Sequence, residues 1–512
     1  MRKNGGALAI VAIALVYLVP VQYLGWNQGA QYALVRALAN GTPRVDQTRF
    51  EVGKGGMASD GTGDLSFINR HYYAAKSPGL AFETLTPYFL LKATGRSNPT
   101  TESRGQVWYL NLWGALIPAV LLLVLVRYVA ERLEPGFGTA AAVTLGLATM
   151  VLPFATMLFS HMLSATLAFA AFAVLWRERR GAPRPVAVLC AGLLAGLAAT
   201  VEFPVAIIGA ILCLYAIARP SLPRRLVAYA GGAVIGGLPT LLFNLWAFGS
   251  MFKFPYSNVV GEQGANKVGL FGITAPKFHV LVELLFQPIG LLTLTPVVAL
   301  GAVGLAFLYR RGHRAEALLA ATITLVYLLI NAGYETPFGG NSPGPRFLVA
   351  IMPFLALGLA ASYRRIPLTT AALAVGSGVE MVVLTLTNPL GTDDLGWFHR
   401  FASGQFVQTV LDLAGIHHGA IPLFFVALVA AVVLALLVTA RPEASWRDAV
   451  RAPLAVGAWI LILHKAPHML ENSGEGPWAA VGLAEAAILV VVLAPQLVGR
   501  VRLPDLRVRL GR

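Results

Sequence analysis

The segment Arg70-His71-Tyr72-Tyr73-Ala74-Ala75-Lys76-Ser77-Pro78-Gly79 gathers groups that bind and move charge. Pro78-Gly79 sets a turn, and the stretch 79–92 that follows is apolar and aromatic but too short to span a bilayer. That stretch is expected to form an interfacial or re-entrant helix. Its N-terminus, His71 and Lys76 would converge on an anion, because free backbone N–H groups and the helix dipole attract negative charge. Two acids, Asp46 and Asp64, stand upstream. A carboxylate within about 3 Å of a hydroxyl can take its proton. Partial desolvation at a membrane edge is expected to raise its pKa toward that task.

Further along the chain the candidates are sparser. His161 opens an apolar run, and Glu202 sits in a tight apolar turn, Thr200-Val201-Glu202-Phe203-Pro204. An acid at bilayer depth is a functional hypothesis by default. Arg346 follows Pro343-Gly344-Pro345 at the mouth of a span, and its planar guanidinium suits two phosphate oxygens. Glu380 and Glu485 fall inside spans and read as hydrogen-bonding helix contacts. Asp393-Asp394 and His417-His418 are adjacent pairs, which do not readily face one ion. No metal site is assigned, and a divalent cation is not supported by ligand spacing. Glu51, Lys54 and Asp60 read as a solvated loop.

The elements that must position these residues are membrane helices. The 512 residues are 57% hydrophobic and 12% charged, against about 25% charged in a soluble domain. So little charge cannot coat a water-facing surface, which excludes soluble, disordered and disulfide-stapled secreted chains. The net charge of +15 would suggest nucleic acid in a soluble protein. Here it reads as Lys and Arg collected in cytoplasmic loops, and no nucleic-acid partner is expected. Cys190 and Cys213 lie in apolar runs and read as small buried hydrophobes.

The expected fold is all-α, a polytopic membrane bundle of about fourteen transmembrane helices. Apolar runs occur near 6–25, 106–126, 138–157, 159–176, 186–200, 204–218, 226–248, 287–309, 316–333, 347–363, 367–388, 421–440, 453–465 and 477–498. With a cytoplasmic N-terminus, the even-numbered connections hold the basic linkers around Arg127/Arg132, Arg177–Arg180, Arg219–Arg225, Arg310–Arg314, Arg364-Arg365 and Arg441–Arg451. The acids fall mainly in the other connections. The longest, 26–105, is expected to be extracytoplasmic and to carry short interfacial helices. Residues 276–286 and 404–414 look like further ones.

Several segments together resemble the GT-C superfamily of membrane glycosyltransferases, near its protein mannosyltransferase-like branch. They are Asp64…Ile68-Asn69-Arg70-His71-Tyr72-Tyr73…Lys76-Ser77-Pro78-Gly79, Phe159-Ser160-His161, Thr200–Pro204, Phe243–Ser250 with Pro255-Tyr256, Leu285–Leu292 and Gly339–Phe347. The resemblance covers roughly 1–365, a catalytic transmembrane module, and leaves 366–512 as helices of unassigned role. It implies an inverting transfer from a polyprenyl-phosphate sugar donor to a hydroxyl of a lipid, cell-wall glycan or protein. The site would face the outside of the plasma membrane, with both termini cytoplasmic. It also implies a first-loop acid as general base, with Asp46 preferred to Asp64. The adjacent acid pair that many relatives carry is missing. A lipid phosphate is a stable leaving group and needs cations rather than an acid. Arg70, His71, Lys76 and Arg346 would supply them, and Tyr73, His161, Glu202 and Tyr256 complete the substrate-binding candidates. The competing class is a transporter or lipid-linked-saccharide flippase. It is disfavoured by the lack of an internal repeat and by the few midplane charges.

Overall fold

The structure is a computed structural model that describes residues 2–46, 64–95, 103–260, 269, 272–390, 396–442 and 445–471. The chain is a mostly helical, multi-pass membrane protein. Its main helices are α1 (Arg2–Leu18), α2 (Trp26–Ala39), α3 (Gly79–Ala93), α4 (Arg104–Leu133), α5 (Gly138–Leu147), α6 (Ser160–Arg179), α7 (Pro185–Val201), α8 (Ala206–Ile217), α9 (Leu222–Phe248), α10 (Phe278–Phe286), α11 (Val297–Arg310), α12 (Arg314–Ala332), α13 (Met352–Arg365), α14 (Pro367–Thr387), α15 (Ile421–Val438) and α16 (Trp446–Glu471). Every expected apolar run up to residue 465 falls on a helix. Among the described residues, six helices are long and apolar enough to cross a bilayer. A seventh crossing results if 278–294 and α11, bent by 86°, form one span. Four more apolar helices are shorter. The expected last span, 477–498, lies outside the described residues, as do Glu51, Lys54, Asp60, Asp393, Asp394 and Glu485.

Lipid tails are as apolar as leucine, so helices associate in a membrane through close packing and polar contacts. Glycines make the closest approaches here. A Cβ on Gly192 of α7 would stand 2.0 Å from the Tyr229 carbonyl of α9, and one on Gly236 of α9 would stand 2.2 Å from that of Leu193. Gly304 of α11 and Gly358 of α13 meet in the same way, with a Cβ on Gly304 1.8 Å from the Gly358 carbonyl. The span 346–365 that contains α13 is 83% buried and forms the centre of the bundle. α15, at 22%, lies at its rim against α1.

The basic linkers share one end. Glu178 is 1% exposed and takes both arms of Arg225, at 2.7 and 2.8 Å, while Arg180 reaches Glu316 at 3.7 Å. Glu134 is fully buried and pairs with Arg311 at 3.2 Å and Arg364 at 3.3 Å. Asp448 of α16 accepts hydrogen bonds from Leu368 N and Thr369 N and caps α14.

Three expectations are corrected. The stretch 26–39 was taken for loop, but it is a helix, α2, whose residues Asn27–Val35 are buried. Residues 404–414 hold a short strand, Gln408–Thr409, and one 3-10 turn rather than an interfacial helix. The strand pairs with Pro20–Val21, and Asp412 organises the turn by accepting from Thr409 N and His418 N. Cys190 is exposed on the lipid-facing side of α7 instead of buried. A helix that is apolar all round does not reveal which face it buries.

Candidate active site

Opposite the basic end, a β-hairpin carries the H-Y-Y-x-x-K segment. β1 (Leu65–Ile68) pairs antiparallel with β2 (His71–Ala74). The turn residues Asn69 and Arg70 both have positive φ, 51° and 66°, as a two-residue hairpin turn demands. Asn tolerates that region, whereas Arg carries a Cβ penalty of about 1–2 kcal/mol. β3 (Val259–Val260) adds to the hairpin edge, and Ser66 Oγ donates to the Pro255 carbonyl at 2.7 Å. These contacts bring Tyr256 to the base of the hairpin.

At that base, Ala75 N donates to the Asp64 carbonyl, and Lys76 Nζ lies 2.6 Å from Asp64 Oδ2. Gly79 then seats the start of α3 on the end of α7. A Cβ there would lie 2.6 Å from Thr200 O and from Val201 N and Cα. This contact sets Lys76 beside Glu202, which follows α7 directly. Glu202 accepts from Ser164 Oγ at 2.7 Å, and both its oxygens lie 2.9 Å from His161 Nδ1. His161 sits in the first turn of α6, its ring stacked on Phe159 and edge-on to Phe154 and Phe347. Arg346 enters from the 3-10 turn Arg346–Ile351, with its guanidinium carbon 5.2 Å from the Phe347 ring centre and 5.9 Å from that of Phe159. Gly339, at φ 78°, leaves the space this side chain occupies, since a Cβ there would stand 2.3 Å from Arg346 Nε. Tyr256 lies edge-on to Phe203 at 5.7 Å and feels the charges of Glu202 and Asp64.

Asp64, Lys76, His161, Glu202, Tyr256 and Arg346 therefore form one cluster drawn from five separate parts of the chain. Its electrostatics correct the expected raised carboxylate pKa at Asp64. Burial pushes that pKa up, but Lys76 and Arg346 outweigh it and hold the carboxyl below its usual range. Burial lowers the Lys76 pKa, and Arg346 lowers it further. Asp64 and Glu202 offset only part of this, so the ammonium sits below the usual lysine range. Two polar atoms in the cluster, His161 Nε2 and Arg346 Nε, are buried without a hydrogen-bond partner.

Asp46 lies elsewhere. Its Oδ2 is 2.8 Å from His71 Nδ1, and its Oδ1 accepts from Tyr72 N at 2.6 Å. His71 pairs across the hairpin with Ile68, next to the turn. The two ends of the hairpin are about 13 Å apart at roughly 3.3 Å per residue. Both side chains of the pair are about one-third exposed, at 34% and 36%. Arg70 is exposed at the tip, apart from the cluster. Tyr73 is buried beneath the hairpin against Phe248, 5.0 Å away. Among the described residues, no three His, Cys, Asp or Glu side chains converge as a metal site requires.

Ser164 and Gly79 escaped the sequence reading. Ser164 stands three residues after His161, on the same helix face, and that spacing was the available signal. Gly79 was read only as a turn residue.

No family model and no curated protein matches the chain. Among solved structures it is similar to ArnT from Cupriavidus metallidurans bound to undecaprenyl phosphate, with 16% identity, a TM-score of 0.48, and coverage of 97% of this chain and 77% of that one. It is also similar to the archaeal oligosaccharyltransferase AglB from Archaeoglobus fulgidus in complex with an inhibitory peptide and a dolichol-phosphate. There the identity is 13% and the TM-score 0.44, with coverage of 95% of this chain and 59% of that one.

Proposed function

We propose that the chain is a GT-C-type glycosyltransferase that moves a sugar from a polyprenyl-phosphate donor to a hydroxyl of a lipid, cell-wall glycan or protein. In this reading fourteen helices cross the plasma membrane, both termini are cytoplasmic, and the hairpin cluster faces outward. The observation that carries it is the convergence of Lys76 and Arg346, from separate elements, on a half-enclosed spot at the end of the bundle opposite the basic linkers. Two cations at a membrane edge suit a lipid phosphate.

Donor binding would transfer Lys76 from Asp64 to the phosphate, with Arg346 on the remaining oxygens. Asp64 holds Lys76 in position until then. His161, fixed by Glu202, offers its buried Nε2 to the same anion. The acceptor oxygen attacks the sugar C1, the bond from C1 to the phosphate oxygen breaks, and the phosphate leaves with the electron pair. The hydroxyl proton goes to a base. In an inverting displacement that base stands across the sugar from the leaving group. The corresponding carboxyl spacing in inverting glycosidases is roughly 6.5–9.5 Å. A carboxylate in contact with the phosphate-binding Lys76 is on the wrong side. Asp46, at the far end of the hairpin and open to solvent, is on the right one. His71 and Tyr72 N hold it ionised and aimed.

The test uses the full chain in proteoliposomes with a panel of polyprenyl-phosphate sugars. The acceptor class comes from mass spectrometry of envelope lipids and glycans with and without the gene. Asp46→Asn should lower turnover by roughly 10²–10⁴-fold while donor binding survives. Arg346→Ala should weaken donor binding by on the order of 2–5 kcal/mol. Loss of turnover in Asp64→Asn with none in Asp46→Asn would reverse the two roles. Normal turnover in both would sink the mechanism.

A further inference from the structure

A second cleft of about 220 Å³ opens beside the cluster, lined among others by Gln22, Tyr23, Arg104, Trp108, Asn111 and Thr156. The segment Thr156–Leu158 forms one of its walls, and three residues further on His161 belongs to the site described above. The cleft is polar in an unusual way for a membrane protein. Gln22 is 6% exposed and Asn111 2%. Gln22 Nε2 donates to Thr156 Oγ1 at 2.9 Å and to the Thr385 carbonyl at 3.0 Å. Asn111 Nδ2 donates to the Ala155 carbonyl at 3.1 Å. A carbonyl partner accepts only from N–H, so both amides are fixed with nitrogen inward. Their oxygens, Gln22 Oε1 and Asn111 Oδ1, are buried and have no partner. An unmet buried acceptor costs about 1–3 kcal/mol, and two in one cleft call for a ligand that donates.

The other walls narrow the ligand class. Trp108 Nε1 is held by the Leu18 carbonyl at 3.1 Å, which fixes its indole. Arg104 lies 4.7 Å over the Tyr23 ring. Directly after Asn111, helix α4 widens into the π-helical stretch Leu112–Leu116, a distortion frequent at functional sites. Hydroxyl donors met by two amide oxygens, with flat aromatic groups alongside, match a sugar ring.

We infer that this cleft binds a saccharide residue, with Gln22 Oε1 and Asn111 Oδ1 accepting two of its hydroxyls. On the function proposed above, the residue belongs to the acceptor and lies on the far side of the 156–159 segment from the donor phosphate. The binding itself does not depend on that reading.

The experiment is saturation-transfer NMR on the full chain in nanodiscs, with a panel of methyl pyranosides as probes. At least one should bind wild type. Asn111→Leu keeps the size and removes the acceptor, and should weaken that pyranoside about tenfold. Tyr23→Ala changes a partly exposed ring at little risk to the fold and should weaken it too. Both variants should melt like wild type and keep donor binding. Asp46→Asn should bind the pyranoside as wild type does, even if it abolishes turnover. Binding in Asp46→Asn alongside failure of every transferase assay would retain the cleft and reject the enzyme. No pyranoside signal in wild type, or equal signals in wild type, Asn111→Leu and Tyr23→Ala, would overturn the inference.

Discussion

Gly79→Ala tests the positioning of Lys76 without touching a charged group. The added Cβ would lie 2.6 Å from Thr200 O and Val201 N and Cα, all backbone atoms of α7. Backbone cannot rotate away as a side chain can. Non-bonded carbon contacts settle near 3.5 Å, so the start of α3 must retreat by roughly 1 Å. Overpacking of this kind costs about 1–3 kcal/mol. Lys76 lies only three residues upstream and would move with it, away from Glu202 and Arg346. A 1 Å misplacement of a positioning group lowers rate by up to about 10²-fold. The expectation is a 10–100-fold loss in kcat/KM, seen mainly as a raised donor KM, with a melting shift of a few degrees. Gly181→Ala is the control, because a Cβ there meets nothing within 4 Å. Steady-state kinetics in proteoliposomes, with melting followed in the same preparation, reads both quantities. Wild-type donor KM in a correctly folded Gly79→Ala protein would refute the claim that this contact sets the site.

Three other outcomes follow from the geometry. The Lys76 ammonium has a lowered pKa, so it is charged below that pKa and loses its charge as pH rises through it. Donor KM should therefore climb at a pH below the usual lysine range, and Lys76→Arg should move that limb upward; a flat alkaline profile in wild type would count against Lys76 as the phosphate ligand. Arg225→Ala strands Glu178, 1% exposed, and should cost about 3–5 kcal/mol, while Glu178→Leu combined with Arg225→Met should recover most of it in denaturation. Impermeant thiol reagents applied to intact cells should label Ser403→Cys and spare Ala182→Cys, and the reverse pattern would invert the proposed topology.

The helices, the clustering of basic linkers and the order of the outer motifs were legible in the sequence, because each depends on local composition. A run of about 20 apolar residues is a span wherever it packs, and Arg in a short linker marks the end it occupies. The candidate acids and cations were also legible as residue types at the ends of runs. Their pairing was not. Asp64 and Asp46 looked interchangeable in one loop. The hairpin, however, puts Asp64 on Lys76 at its base and Asp46 on His71 near its tip. His161 and Glu202 are 41 positions apart, and their contact depends on how α6 and α7 stack. Apolar-all-round helices carry no facing signal, so those crossings follow from where glycines let backbones touch. The low pKa of Asp64 likewise exists only after folding, when Lys76 and Arg346 arrive from distant positions to outweigh its burial.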